Sequence, residues 1–301
     1  MNYKKIVRSQ QLRFKILHAL AWIPDSIMLR LQYRIKMGFW PNFKHPKRYT
    51  EKLQLYKMKY RNPVMAQCVD KYEVRKYVES KGLGHILNEL YGVYDSFYEI
   101  DFNSLPDKFV IKSSTGGGGL NVKVVEDKGT CDWSEIGKKV NAWGQHKKGD
   151  ISSGREWAYS GMGKTRIIIE KFLEDTQGKG LIDYKFFCFN GEPSYLYVIA
   201  DRKPGEYAYL SIYDTNFKKT QYYRADERKL ERKISKPINY EKMLDVARAL
   251  SADFPHVRVD LYNIDGCIIF GELTFYDGSG YFHYEPDELD FKAGSYFTEY
   301  T

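Results

Sequence analysis

The stretch VRVDLYNIDGCIIFGELTFYDGSG, residues 257–280, decides how this chain is read. Asn263-Ile264-Asp265-Gly266 carries the residues of a hairpin turn. A three-residue loop with Gly266 in the left-handed conformation pairs Asn263 with Cys267. That register sets Asp260 opposite Phe270 and Arg258 opposite Glu272. One face then holds Val257, Val259, Leu261, Cys267, Ile269, Leu273 and Phe275. The other holds Arg258, Asp260, Tyr262, Ile268, Phe270, Glu272 and Thr274. On this reading Asp260 and Glu272 are diagonal neighbours, ~7–8 Å apart at Cα, and both reach one ion. A solvated face neutralised by Arg258 is the competing reading, but it leaves Ile268 and Phe270 unexplained. A half-apolar face with two acids and one arginine reads as the lining of a cleft. Two carboxylates with spare oxygens suit Mg²⁺, which keeps waters and phosphate oxygens as its other ligands. Turn length controls the argument, because a two-residue loop places the acids on opposite faces.

Upstream, FVIKSSTGGGG (109–119) is a strand ending in Lys112, followed by Gly116, Gly117, Gly118 and Gly119. Alone it reads equally as a slack loop or as a phosphate cradle. Beside a magnesium hairpin the cradle is the better reading: lysine neutralises phosphate and loop amides donate to it. The strand Arg166 to Leu173 adds a third part. Its end, Glu170, Lys171, Phe172 and Leu173, offers backbone groups to a base edge and aliphatic surface to its ring, with Glu174 or Asp175 near ribose hydroxyls. Together these parts describe a nucleoside triphosphate held between two sheets. Gly163-Lys164-Thr165 imitates the end of a Walker A loop. Ala158 stands where its first glycine belongs, and an isoleucine strand follows where a helix is required.

The remaining sequence sets the bounds. At 301 residues, with 43% hydrophobic and 29% charged content, the chain is globular and long enough for two lobes. A net charge of +8 suggests an anionic partner: nucleotide, polyanionic glycan, nucleic acid or membrane surface. The 26 tyrosines suit sugars and bases, but they also pack well in sheets. Cys68, Cys131, Cys188 and Cys267 are far apart and imply four unpaired thiols in a reducing, cytoplasmic compartment. No zinc spacing, secretory leader or ~18-residue apolar run is present. Residues 1–40 read as two basic helices. Leu12, Ile16, Leu20 and Ile23 form one stripe ended by Pro24. Asp25 then caps a helix carrying Met28, Leu31 and Ile35. These helices pack on the body or rest on a membrane as a basic amphipathic face. A helix starts at Asn62-Pro63, carries Asp70, Lys71 and Arg75, and runs to about Ser80. Further helices are expected at 133–148 and Tyr240 to Ser251. Strands are expected at Lys108 to Lys112, Asn121 to Glu126, Lys185 to Phe189 and Leu196 to Ala200. The irregular alternation indicates an α+β fold.

These motifs resemble the ATP-grasp superfamily, and more closely its teichuronopeptide-biosynthesis (TupA-like) branch among bacterial surface-polysaccharide proteins. The resemblance spans about Pro46 to Gly294. It rests on YTEKLQ (49–54), DKYEVRKYV (70–78), LPDKFVIK (105–112), IIIEKFL (167–173), DYKFFCFNG (183–191), RVDLY (258–262), GELTF (271–275) and GSG (278–280). It implies an ATP-grasp fold: two α+β lobes with antiparallel sheets clasping ATP. Residues 1–45 would be a basic helical extension and 46–301 the ATP-grasp domain, with a glycine-loop lobe at about 63–175 and a metal-binding lobe at about 176–301. By the resemblance Lys71 and Lys112 hold ATP phosphates under the Gly116–Gly119 loop. Glu170 to Leu173 form the adenine hinge, and Asp183 or Lys185 sits near ribose or phosphates. Asp260 and Glu272 bind Mg²⁺, and Arg258 steadies the reacting carboxyl oxygens. Thr274 replaces the asparagine that related ligases place two residues after the metal glutamate; its hydroxyl still offers an oxygen.

The implied activity is an ADP-forming carboxylate–amine ligase working through an acyl phosphate. Its family context suggests joining a uronic-acid carboxylate of a surface glycan, or its precursor, to an amino acid or amine. Peripheral contact of residues 1–40 with the inner face of the cytoplasmic membrane is part of that expectation, and no nucleic acid is expected. Two rivals make different demands. A glycosyltransferase needs a D-x-D motif, whereas Asp260 is followed by Leu-Tyr. A non-catalytic glycan binder using its tyrosines would show no ATP dependence.

Overall fold

The computed structural model describes residues 16, 19–116, 121–143, 154–175, 180–201 and 209–300. Gly117, Gly118, Gly119 and the helical stripe residue Leu12 lie outside them. Among the described residues the helices longer than one turn are α1 (Asp25–Met37), α2 (Tyr49–Lys59), α3 (Pro63–Cys68), α4 (Val74–Ser80), α5 (Trp133–Asn141), α6 (Tyr240–Ser251) and α7 (Glu288–Tyr296). The strands are β1 (Leu90–Tyr94), β2 (Phe109–Ser113), β3 (Val122–Val125), β4 (Ile167–Lys171), β5 (Asp183–Phe189), β6 (Glu192–Ala200), β7 (Tyr209–Asp214), β8 (Tyr223–Arg224), β9 (Arg228–Lys229), β10 (His256–Ile264), β11 (Cys267–Thr274) and β12 (Tyr284–Glu285). They divide into two units, residues 63–150 with 158–178, and residues 1–62 with 151–157 and 179–301.

In the unit built on residues 63–150 and 158–178, four antiparallel strands run in the order β1-β4-β2-β3. Alternation explains its two faces. Phe109, Ile111, Ile167 and Ile169 point into a core with Val125, Phe97, Leu105 and the α5 residues Ile136 and Val140. Val110, Lys112, Ile168 and Glu170 occupy the opposite face. Helix α5 is capped by Asp132, whose side chain accepts the Glu135 backbone N–H at 2.9 Å. It ends at Asn141, Ala142 and Trp143 follow outside it, and residues 144–148 of the expected helix lie outside the described residues.

The expected single helix from Asn62 to Ser80 is two helices, α3 and α4. Asp70 is the reason. Its Oδ1 accepts the backbone N–H of Tyr72 at 2.8 Å and of Glu73 at 3.0 Å, a local turn that competes with helical bonding. The Lys71 N–H leaves the helix altogether and donates to the Ser114 carbonyl at 2.8 Å.

In the other unit six strands run β11-β10-β5-β6-β7-β9, antiparallel except for β7 with β9. Its core is aromatic, which is where many tyrosines go: Tyr49, Tyr56, Tyr197, Tyr240 and Tyr284 are fully buried. Some of these buried hydroxyls pair with one another, as in Tyr195 with Tyr284 at 3.0 Å. Helix α6 lies where its periodicity places it and buries Met243, Leu244, Ala247 and Leu250. Helix α7 meets α2 closely enough that a Cβ on Gly294 would fall 2.1 Å from the Lys47 carbonyl oxygen.

Helix α1 buries Met28, Leu29, Tyr33 and Met37. The expected stripe of Met28, Leu31 and Ile35 is therefore split, because Leu31 and Ile35 are exposed while Met28 is buried. Asp25 does not cap the helix either. Pro24 takes the capping position, and the Asp25 carboxylate accepts from Arg155 Nη1 at 2.9 Å. None of the four cysteines forms a disulfide.

Candidate active site

The β10–β11 hairpin departs from its expected register in two ways that offset each other. The turn has two residues, with Ile264 opposite Cys267, and Asp265 and Gly266 have φ of +50° and +84°. Two consecutive positive φ values make the type I′ geometry that matches strand twist. That turn alone sends Asp260 and Glu272 to opposite faces. A bulge at Gly271, between the pairs Leu261–Phe270 and Asp260–Glu272, inserts one residue and brings them back to one face. Glycine suits the bulge because a Cβ there would lie 3.0 Å from the Asp260 carbonyl oxygen. Asp260 thus sits directly opposite Glu272 instead of diagonally, and Arg258 opposite Thr274 instead of Glu272. Phe270 and Ile268 move to the face of Leu261 and Asn263, so the acid face no longer carries them.

Arg258 is the hub of this face. Its Nε donates to Asp260 Oδ1 at 2.7 Å. Its Nη2 lies 2.7 Å from Asp260 Oδ2, 2.9 Å from Glu272 Oε1 and 3.0 Å from Thr274 Oγ1. Its Nη1 donates to Asp277, which also accepts from Arg224 at 3.3 Å. On neighbouring β5, Lys185 donates to Asp260 and lies 3.9 Å from Asp183. Burial disfavours the charges of Arg258, Lys185 and Asp260, and the pairing outweighs it. Asp260 and Asp277 hold the Arg258 pKa well above the ordinary arginine value. Asp260 and Asp183 likewise raise Lys185, and Arg258 with Lys185 lowers Asp260.

Do these residues fit a metal ion? Among the described residues no three His, Cys, Asp or Glu side chains are arranged as a cage. A hard cation that keeps its waters and phosphate ligands needs fewer protein oxygens. The oxygens of Asp260, Glu272 and Thr274 converge on one point, taken by the positive Nη2 of Arg258. They are the oxygen donors magnesium prefers, and their spacing already accommodates one cationic centre. Glu272 is the accessible member, with 46% of its side chain exposed against 3% for Asp260.

In the β1–β4 unit, Lys112 Nζ donates to Glu170 Oε2 at 2.7 Å, and Arg75 lies 3.8 Å from the other Glu170 oxygen. Both groups sit on the sheet face opposite the core, beside Val110 and Ile168. Lys71 Nζ donates to the Gly116 carbonyl, and Gly116 has φ +92°. The segment after β2 is tied down on both sides. Ser114 Oγ donates to Asp70 Oδ2 at 3.2 Å, and the Thr115 and Thr165 hydroxyls are 2.8 Å apart. Burial raises the Asp70 pKa despite its backbone hydrogen bonds. At the end of β4, the Lys171 carbonyl accepts from Asn88 Nδ2 at 2.9 Å, while Phe172 and Leu173 are half-buried. A shallow cavity of about 440 Å³ in this unit, lined by Tyr72, Glu73, Val93, Tyr94 and Arg166, touches none of the expected site residues.

The expected residues thus gather as two groups, one per unit: Lys71, Lys112, Gly116 and Glu170, and then Asp183, Lys185, Arg258, Asp260, Glu272 and Thr274. Sequence reasoning missed Asp277, Arg224 and the structural role of Asp70. Asp277 stands just after GELTFY and just before the GSG motif, which was the available signal. Nothing in the sequence marks Arg224.

The chain matches the sequence model of the TupA-like ATP-grasp family over residues 51–298. No curated protein matches it. Among solved structures it is similar to D-alanine–D-alanine ligase from Bacillus anthracis, at 20% identity and TM-score 0.40, covering 69% of this chain and 57% of that one. The Helicobacter pylori D-alanine–D-alanine ligase gives 18% and 0.42, covering 76% and 60%. The Staphylococcus aureus N5-carboxyaminoimidazole synthetase complexed with ADP gives 13% and 0.43, covering 74% and 50%. This chain therefore spans less than two thirds of each of those proteins, and the assignment rests on the family match. By that match over most of its length, the chain belongs to the TupA-like ATP-grasp family.

Proposed function

We propose that this protein is an ATP-dependent carboxylate–amine ligase that releases ADP and phosphate. The observation that carries the reading is the facing pair Asp260 and Glu272, bridged by Arg258, in a chain of the ATP-grasp family. Residues of about 63–175 serve the nucleotide: Lys71 and Lys112 neutralise phosphates, the Gly116–Gly119 segment covers them, and Glu170, Lys171, Phe172 and Leu173 receive the adenine. Residues of about 176–301 serve the reaction, and residues 1–45 are an extension. Asp260 and Glu272, with Thr274, would hold Mg²⁺, which supplies charge neutralisation to the phosphate oxygens when bound. Asp183 and Lys185 lie beside this group and serve ribose or phosphate.

The chemistry follows from the residue types. A carboxylate oxygen attacks the γ-phosphorus as the bond to the β-phosphate oxygen breaks, and ADP leaves. The amine then attacks the acyl carbon, phosphate departs and the amine loses a proton. Positioning and charge stabilisation suffice for phosphoryl transfer, so no serine or cysteine nucleophile is required. Arg258 has two guanidinium edges to offer a carboxylate, provided it releases one of its present acids. The carboxylate is that of a uronic acid in a bacterial capsule or other surface polysaccharide, or its precursor, and the amine is an amino acid or simple amine. The N-terminal segment keeps the enzyme beside a lipid-linked acceptor at the cytoplasmic membrane.

The test is ADP release against a panel of uronic-acid sugars and amines. Release should require both substrates, and Lys112→Ala and Glu272→Ala should abolish it in folded protein. Near-normal turnover in either variant overturns the site, and AMP with pyrophosphate overturns the acyl-phosphate route.

A further inference from the structure

We propose that the outward face of α1 docks on an anionic lipid bilayer, with α1 lying in the plane of the headgroups. This deepens the reading of a membrane-borne acceptor and rests on it only for its purpose.

The charge of the chain is the first observation. Residues 1–45 contain nine Lys or Arg and a single acid, Asp25, so the whole net charge of +8 resides there. Residues 46–301 are balanced. Five of the nine cations precede residue 16, and Arg30, Arg34, Lys36 and Lys44 follow. The lone acid is bonded to Arg155.

The second observation is the outer face of α1. With Met28, Leu29, Tyr33 and Met37 turned inward, Ile27, Leu31 and Ile35 recur every four residues on the other side, 51%, 40% and 51% exposed. Arg30 and Arg34, both exposed, border this stripe along one side. Arg30 lies 4.7 Å from the Phe43 ring, and Arg34 donates to the Gly38 carbonyl that ends the helix. Trp22 and Trp40, 79% and 60% exposed, flank the helix before and after it. Three exposed aliphatic side chains along the helix, with an exposed tryptophan beyond each end, are more than singly scattered apolar residues.

The chemistry selects the partner. An apolar stripe with arginines along its border and tryptophans at its ends is what an interfacial helix needs: acyl chains take the isoleucines and leucine, lipid phosphates take the guanidinium groups, and indoles favour the boundary. Nucleic acid offers nothing to the apolar stripe. A protein partner of standard size needs roughly 800 Å² on each side, and a single line of three aliphatic side chains is narrow for that. No helix of the described residues is long and apolar enough to cross a membrane, so this contact lies on the surface.

The experiment is sedimentation of the full chain with vesicles of phosphatidylglycerol and phosphatidylcholine, and with phosphatidylcholine alone, at low and high salt. Binding should require the anionic lipid and weaken with salt. Arg30→Ala/Arg34→Ala should lower partitioning on the order of 30-fold, at roughly one tenfold step per 1.4 kcal/mol and about 1 kcal/mol per cation. Ile27→Ser/Leu31→Ser/Ile35→Ser should lower it at least as far. Tryptophan emission should shift to the blue on binding, and Trp22→Ser/Trp40→Ser should remove the shift. These side chains are exposed and outside the proposed active site, so the melting temperature should shift by only a few degrees and turnover of a soluble acceptor should stay unchanged. Absence of binding, equal binding to neutral vesicles, or binding retained by the triple variant overturns the proposal. So does a concentration-dependent dimer that the triple variant dissolves. Sedimentation needs no turnover, so failure of the ligase reading leaves this result intact, and the reverse also holds.

Discussion

Asp260 and Glu272 face each other on one hairpin, yet replacing them should have very different effects on stability. Asp260 is buried, with both oxygens bonded to Arg258 and one also to Lys185. In Asp260→Asn the amide nitrogen must confront one of these donors, and two buried cations lose their counter-charge. Removing one partner of a buried ion pair costs about 3–5 kcal/mol. At roughly 2–4 °C per kcal/mol for a domain of about 150–250 residues, the midpoint should fall by roughly 6–20 °C. Glu272 has nearly half of its side chain in water, and its pair with Arg258 is screened there. Such pairs contribute about 0–1 kcal/mol, so Glu272→Gln should melt within a few degrees of the parent. Both variants should nevertheless lose ATP turnover. Urea or thermal unfolding followed by circular dichroism, with ADP release on the same samples, measures the contrast. Equal stability losses in the two variants, or a stable Asp260→Asn, would refute the description of Asp260 as a buried carboxylate locked between cations.

Other expectations follow from single groups. His256 is buried with Nδ1–H donating to the Cys188 carbonyl at 2.9 Å and Nε2 facing the Tyr49 hydroxyl at 2.9 Å, and burial pushes its pKa down to about 4. The unfolded chain binds a proton between about pH 6.5 and 4 that the folded chain refuses. Stability should therefore fall as pH drops through that window, by up to ~1.4 kcal/mol per pH unit more than in His256→Phe. Lys57 is fully buried, donates to Ser279 and Gln54, and is pushed down to about 7 by burial. Here the unfolded chain holds the extra proton above pH 7, so stability relative to Lys57→Met should rise between pH 7 and 9. Parallel unfolding curves for protein and variant across that range would contradict it. Gly294→Ala should separate α7 from α2 and cost more than ~2 kcal/mol in urea unfolding, because its Cβ has no space beside the Lys47 carbonyl. A cost below about 0.5 kcal/mol would show that the two helices part easily.

The hairpin shows what a sequence displays and what it conceals. Alternating apolar residues around Asp265-Gly266 announced two strands and a turn. They could not fix the loop length, and a one-residue change in register moves every side chain to the other face. Asp260 and Glu272 still share a face, directly opposite instead of diagonal, because the bulge restores what the shorter loop removes. Gly271, a glycine inside a strand, was the visible sign of that bulge. The broken helix at Asp70 has a similar origin. Helical periodicity continues through it, but a side chain that bonds its own backbone interrupts the helix, and the released Lys71 N–H reaches Ser114, which is distant in sequence. The Arg258 network was the least legible part. Lys185 and Asp260 are 75 residues apart, and Arg224 and Asp277 are 53 apart, so only the folded sheet brings them together. On α1, spacing identified a helix but not its inner side. Met28 and Leu31 differ by three positions and face opposite environments.

The central claim is that a substrate carboxylate takes the γ-phosphoryl group of ATP. Labelling that carboxylate with ¹⁸O and analysing the products by mass spectrometry tests it most directly. Once the amide has formed, one ¹⁸O should appear in each inorganic phosphate released, in step with ADP. Label in AMP, or unlabelled phosphate accompanying amide formation, would contradict it.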